Sequence, residues 1–252
     1  MRFLTAIAAL ALLAGCDASD PATEAIAPAV LTPDAFSFEP DAPDAKKGTG
    51  EHFFNAAFRV GVVSAIVQAN LILPAAATHA ATQTEPVVTD GVWVWASTFP
   101  INNDEVTFRL EGTPQGREIR WRLGITNRDL DDFTLYTARS DMNGETGDWQ
   151  LFYEENGASV EVLRADFEVT GEDSRELTFS VPPGRDGAGS SVGYVHDGST
   201  REFDWREEPA GLDHYIEWDA ATGRGWIEAD NYRDGERACW DETLANADCP
   251  GA

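Results

Sequence analysis

Glu51 to Leu73 reads EHFFNAAFRVGVVSAIVQANLIL, and what encloses this run decides the fold. It predicts one helix, about 35 Å long at ~1.5 Å per residue. Thr49 stands where an N-cap belongs, Glu51 puts an acid in the first turn, and Pro74 marks the stop. Its apolar residues, among them Phe53, Phe54, Phe58, Val60, Val62, Val63, Ile66, Val67, Leu71, Ile72 and Leu73, point nearly all round the axis. A helix of that kind needs enclosure by protein or by lipid. A membrane span needs ~20 apolar residues, with a lower limit near 17. Only fourteen residues separate Arg59 from Pro74, and Gln68 and Asn70 interrupt them. The reading is therefore a buried core helix.

The chain begins with Arg2 and a short apolar run, Phe3 to Leu12, which ends in Leu13-Ala14-Gly15-Cys16. The run is too short for a span and has the shape of a secretory signal. This beginning resembles the signal peptide and lipobox of bacterial lipoproteins. The resemblance covers sixteen residues. It implies cleavage after residue 15, acylation of Cys16 as the first mature residue, and attachment to a membrane on the outer side of the cytoplasm. Asp17 resembles the inner-membrane retention signal of enteric lipoproteins, a rule that does not hold in all bacteria, so either membrane of the envelope stays open. Two or more acyl chains hold a protein firmly, at ~0.8 kcal/mol per buried CH₂.

Residues 16–50 carry Pro21, Pro28, Pro33, Pro40 and Pro43 among alanines and acids, with no helical or strand period. They read as a lipidated, disordered tether reaching about 30 Å by flexible-chain scaling. The formal net charge of −26 repels nucleic acid and anionic phospholipid alike. The partners implied are thus the membrane, through the anchor on Cys16, and a protein of the cell envelope, with no nucleic acid.

From Asp90 onward the apolar period is two. Strands are predicted near 91–98, 105–112, 117–126, 133–139, 148–154, 159–169, 175–181, 191–196, 200–206, 212–219 and 224–230. Turn residues at nearly every break predict an antiparallel meander. With Thr113-Pro114-Gln115-Gly116 as a four-residue turn, Leu110 would face Ile119, Phe108 would face Trp121 and Val106 would face Leu123. One face is apolar and aromatic and the other charged, as in a sheet wet on one side. The expected fold is α+β: a single domain over 51–252, with about eleven antiparallel strands curled as a barrel or half-barrel around a buried N-terminal helix.

Signals for chemistry are sparse. Cys239 and Cys249 form an isolated pair in an exported chain, which predicts a disulfide. Asp141, Asn143 and Asp148 have the flavour of a calcium loop, but the glycine falls one place late and no closing glutamate follows, so no metal site is assigned. His52, His79, His196 and His214 have no zinc spacing, and His214 is in strand phase with Ile216 and Trp218. Gly187 to Gly193 follows Pro-Pro-Gly and opens no helix, which does not suit a phosphate loop. No catalytic residue and no cofactor site are assigned. Three readings of function stay open: a non-enzymatic structural or binding module; a carrier of a hydrophobic ligand in an open barrel; and a surface glycan binder or hydrolase using Tyr136, Phe152 and Tyr215.

Overall fold

The computed structural model describes residues 50–171 and 173–250; the signal-like segment, Cys16, Thr49 and the tether lie outside them. The described residues begin with a 31-residue helix, α1 (Glu51–Ala81), about 46 Å long. Pro74 does not stop it. A mid-helix proline removes one hydrogen bond and costs ~3 kcal/mol, but Ala75 to Ala77 and Ala80–Ala81 are strong helix formers. The extra turns are also anchored. Ala77, Thr78 and Ala81 are buried, Thr78 Oγ1 bonds the Tyr136 hydroxyl at 2.9 Å, and Ser97 Oγ donates to the Ala81 carbonyl at 3.4 Å.

Fourteen strands follow among the described residues: β1 (Val87–Thr89), β2 (Val92–Ile101), β3 (Asp104–Gln115), β4 (Glu118–Thr126), β5 (Phe133–Asp141), β6 (Thr146–Glu155) and β7 (Ala158–Gly171). Then come β8 (Ser174–Ser180), β9 (Ser191–Asp197), β10 (Thr200–Glu207), β11 (Leu212–Asp219), β12 (Gly225–Ala229), β13 (Ala238–Trp240) and β14 (Asn246–Ala247). Each pairs antiparallel with its sequence neighbours in one sheet, in order β1 to β14. The eleven expected strands are β2 to β12. The three unforeseen ones have two or three residues each, too few for a period-two pattern to appear.

The β3–β4 register also differs from expectation. Gly116, at φ +69°, is the first central residue of a two-residue turn, and Gln115 pairs with Glu118. Such a turn needs positive φ at its first central position, which glycine supplies. Leu110 therefore faces Leu123, and Phe108 faces Ile125. The slip is an even number of residues, so the face assignment survives. Gly112 lies opposite Trp121, whose ring occupies the space a Cβ would need.

The sheet is open, with β1 and β14 at its two ends. Thirteen inter-strand gaps at ~4.8 Å give a width of about 60 Å, longer than the helix. α1 lies closest to β12, β13 and β14 at one end and to β2 and β3 at the other. It bridges the curved sheet like a chord across an arc. Trp95, Phe108, Trp121, Trp149, Phe179, Phe203 and Trp218 fill the space beneath it, with Leu110, Leu123, Leu151, Ile216 and Ile227 fully buried.

That geometry corrects the expectation of a helix enclosed on every side. α1 buries one stripe: His52, Ala56, Val60, Val63, Val67, Leu71, Pro74, Thr78 and Ala81, at the 3.6-residue period. Phe54, Phe58, Val62, Ile66, Ile72 and Leu73 are exposed. An arc that does not close has nothing to lay over the outer side of its chord.

Candidate interaction surface

The N-terminal end of α1 is positioned by the last hairpin of the chain. Gly50 is the N-cap and offers no side chain; in its place the Asn246 side-chain oxygen accepts the His52 N–H at 3.1 Å. The Gly50 N–H donates to the Leu244 carbonyl at 2.6 Å, His52 Nδ1 meets the Tyr232 hydroxyl at 2.7 Å, and Phe53 packs edge-on against Trp240. Burial, with Arg233 nearby, lowers the His52 pKa. The Cys239–Cys249 disulfide, with Cα atoms 5.2 Å apart, closes the loop that carries Leu244 and Asn246. The expected bond is thus present.

Along its middle, α1 leaves little room over the sheet. Val60, Val63, Ser64 and Val67 face Phe179, Val192, Tyr194 and Phe203 across a space of about 20 Å³, enough for one water. Ligand pockets run to ~300–1,000 Å³, so no acyl chain fits there. Further on, Tyr153 donates to the Asn70 side chain at 3.2 Å. Tyr136, a candidate for sugar binding from the sequence, is buried, next to a bulge where the register shifts between Leu123 and Gly124. Burial pushes its phenol up to about 12.

The outer side of α1 is a different surface. Phe54 and Phe58 stack there with centroids 6.3 Å apart, and both are about 60% exposed, as is Ile66. Gly61, Ala65, Ala69 and Ala76 lie between and beyond them, also exposed. The helix has one arginine and no lysine, and that cation is turned aside. Arg59 donates to the Asn55 carbonyl and to Asn231, and its guanidinium lies over the Tyr232 ring. From Phe54 to Ala76 the exposed side carries no charge. By length and mean hydropathy (1.8 over its best window) α1 could cross a membrane, but its buried stripe is committed to the sheet.

A second recess, of about 290 Å³, lies at the end of β10 to β12 beside Asp204, Trp205, Asp213, His214, Tyr215, Glu228 and Asp230. Several of its charged groups already have partners. Arg206 pairs with Asp213 and Glu208, Arg237 pairs with Glu228, and Asp230 accepts the Asp213 N–H. His214 is buried, stacks on Trp205 at 4.4 Å, and has neither ring nitrogen bonded. Burial, then Arg59, lowers its pKa.

The sequence-predicted residues come to no common site. Asp141 accepts the Glu145 N–H at 2.7 Å and Asp148 pairs with Arg139 at 2.6 Å, so two of the three calcium-loop candidates serve a turn and a cross-strand pair; Asn143 is exposed. Among the described residues no group of three or more His, Cys, Asp or Glu could hold a metal. Tyr215 stacks on Trp226 at 4.9 Å while Arg237 covers Trp226 at 3.5 Å, which leaves that indole without a free face for a sugar. Gly189-Ser190-Ser191-Val192-Gly193 has the letters of a nucleophile elbow, but Ser191 opens β9 and no helix follows. Cys16 lies outside the described residues. The chain matches no family model, no curated protein and no solved structure.

Proposed function

We propose that this chain is an extracytoplasmic lipoprotein, anchored to a membrane through Cys16, that works as a non-enzymatic docking module in the cell envelope. The observation that carries the reading is the uncharged, apolar outer side of α1. Six large apolar side chains, each at least 40% exposed, leave roughly 500–600 Å² of apolar surface, taking ~150–250 Å² per large side chain. That is at the upper end of the ~300–600 Å² of the largest patch on an ordinary monomer, and such patches often mark interaction sites. The patch begins four residues after the tether ends. The carrier reading is less well supported, since among the described residues the space between the middle of α1 and the sheet is about 20 Å³.

Two measurements test this. Palmitate labelling should mark the wild type and not Cys16→Ser; a labelled variant defeats the anchor. The detergent-extracted full chain should sediment faster than Phe58→Glu, with both chains folded by circular dichroism. Identical sedimentation at monomer mass defeats docking through this face.

A further inference from the structure

We infer that the outer side of α1 pairs with the same surface of a second copy of this chain, the two helices crossing antiparallel at Ala65. The inference rests on the docking reading and names its occupant.

Size order along the helix carries it. Gly61, Ala65 and Ala69 are exposed and small, spaced by four, and so share one side of the helix. Larger exposed residues lie beyond them in both directions, Phe54 and Phe58 before and Ile72 and Leu73 after, while Val62 and Ile66 flank the small row along one side. A two-fold axis through Ala65 sets Ala65 against itself, Gly61 against Ala69, and Phe58 against Ile72. Small residues then sit where the backbones cross, and bulky ones where the helices diverge. Such a surface is self-complementary, as an isologous interface must be.

Gly61 is an independent observation. Glycine inside a helix costs ~1 kcal/mol relative to alanine, and among the described residues nothing lies within 4 Å of where its Cβ would be. No contact among them needs the bare backbone. A closely approaching helix does, which is why small residues spaced by four recur at helix crossings.

Area agrees. Two such patches would bury roughly 1,000–1,200 Å² in total, the low end of specific interfaces. Anchoring both copies on one membrane raises their effective concentration and makes a pair of that size sufficient. Charge favours a second copy over a bilayer surface. Interfacial helices carry Lys or Arg beside the apolar face, whereas Arg59 is folded away. The net charge of −26 opposes both, but no charge lies on the face itself, and repulsion between distant carboxylates is screened within ~8 Å at physiological salt.

The test is disulfide trapping of the full-length chain in isolated membranes, where the pairing of Cys239 with Cys249 and the proposed acylation of Cys16 leave the introduced thiol as the reactive one, and the wild type run alongside reports any cross-link through Cys16. Ala65→Cys should cross-link to itself. Phe58→Cys should not, but should cross-link when mixed with Ile72→Cys. Self-cross-linking of Phe58→Cys as strong as in the mixture overturns the antiparallel pairing. So does the absence of any cross-link. If the wild type then still sediments faster than Phe58→Glu, another molecule covers the face and only the second copy is refuted. If the two sediment alike, the docking reading falls as well.

Discussion

Asn246 accepts the His52 backbone N–H at 3.1 Å, so a residue from the last strand caps the first turn of a helix 194 positions earlier. A helix N-terminus leaves N–H groups without partners, and a side-chain oxygen normally comes from the N-cap residue itself. Here the cap is glycine, and it has to be. A Cβ on Gly50 would lie 2.5 Å from the Asn246 side-chain oxygen. Asn246→Ala should cost ~0.5–2 kcal/mol and Gly50→Ala at least as much. Urea unfolding checks both; an unchanged midpoint for either refutes the trans cap.

The disulfide acts on the same contact. In the chain-entropy model, closing a loop of about eleven residues stabilises by ~2.5–3 kcal/mol. Cys249→Ser should lose about that much, and amide exchange should speed up in the first turn of α1 before it does in β3 or β4. Uniformly faster exchange across the domain would mean that the loop does not hold the helix.

Two buried histidines give stability a pH dependence. The pKa of His52 is lowered by burial and Arg233, and that of His214 by burial and Arg59. Their folded values lie below the ordinary ~6.5, so just below that pH the unfolded chain binds more protons. Their contribution is fully present above pH ~6.5 and is lost as pH falls through the folded values. His214→Phe keeps a ring on Trp205 and removes an unsatisfied buried group, so it should stabilise by ~1–3 kcal/mol at pH 7. It should also flatten the loss between pH 6.5 and 5. An equally steep slope in the variant would count against this assignment.

The strands were legible because one wet face imposes alternation. Trp149, Leu151 and the inward row Ile216, Trp218 could be placed without coordinates, and the structure buries all four. The short strands at the sheet ends carry no such pattern. The turn at Gly116 is shorter than its sequence suggests, because Thr113-Pro114-Gln115-Gly116 has turn chemistry even though Thr113 to Gln115 belong to β3. Composition could not separate the sides of α1, since Phe58 outside and Val63 inside are both apolar. One signal was there to use: the buried stripe is mostly small, with Ala56, Val60, Val63, Ala77 and Ala81, because the sheet beneath supplies the bulk in tryptophan and phenylalanine.

That division of α1 into a buried and a presented side is the claim on which the rest depends, and unfolding Val63→Asp beside Phe58→Asp tests it most directly. Val63 is 4% exposed under the helix and Phe58 is 60% exposed above it. An unpaired carboxylate at Val63 should cost more than ~3 kcal/mol or prevent folding. The same change at Phe58 should stay within ~1 kcal/mol of the wild type and unfold with the same cooperativity. Equal, large losses at both positions would contradict the account, because they would mean that the sheet encloses α1 on every side.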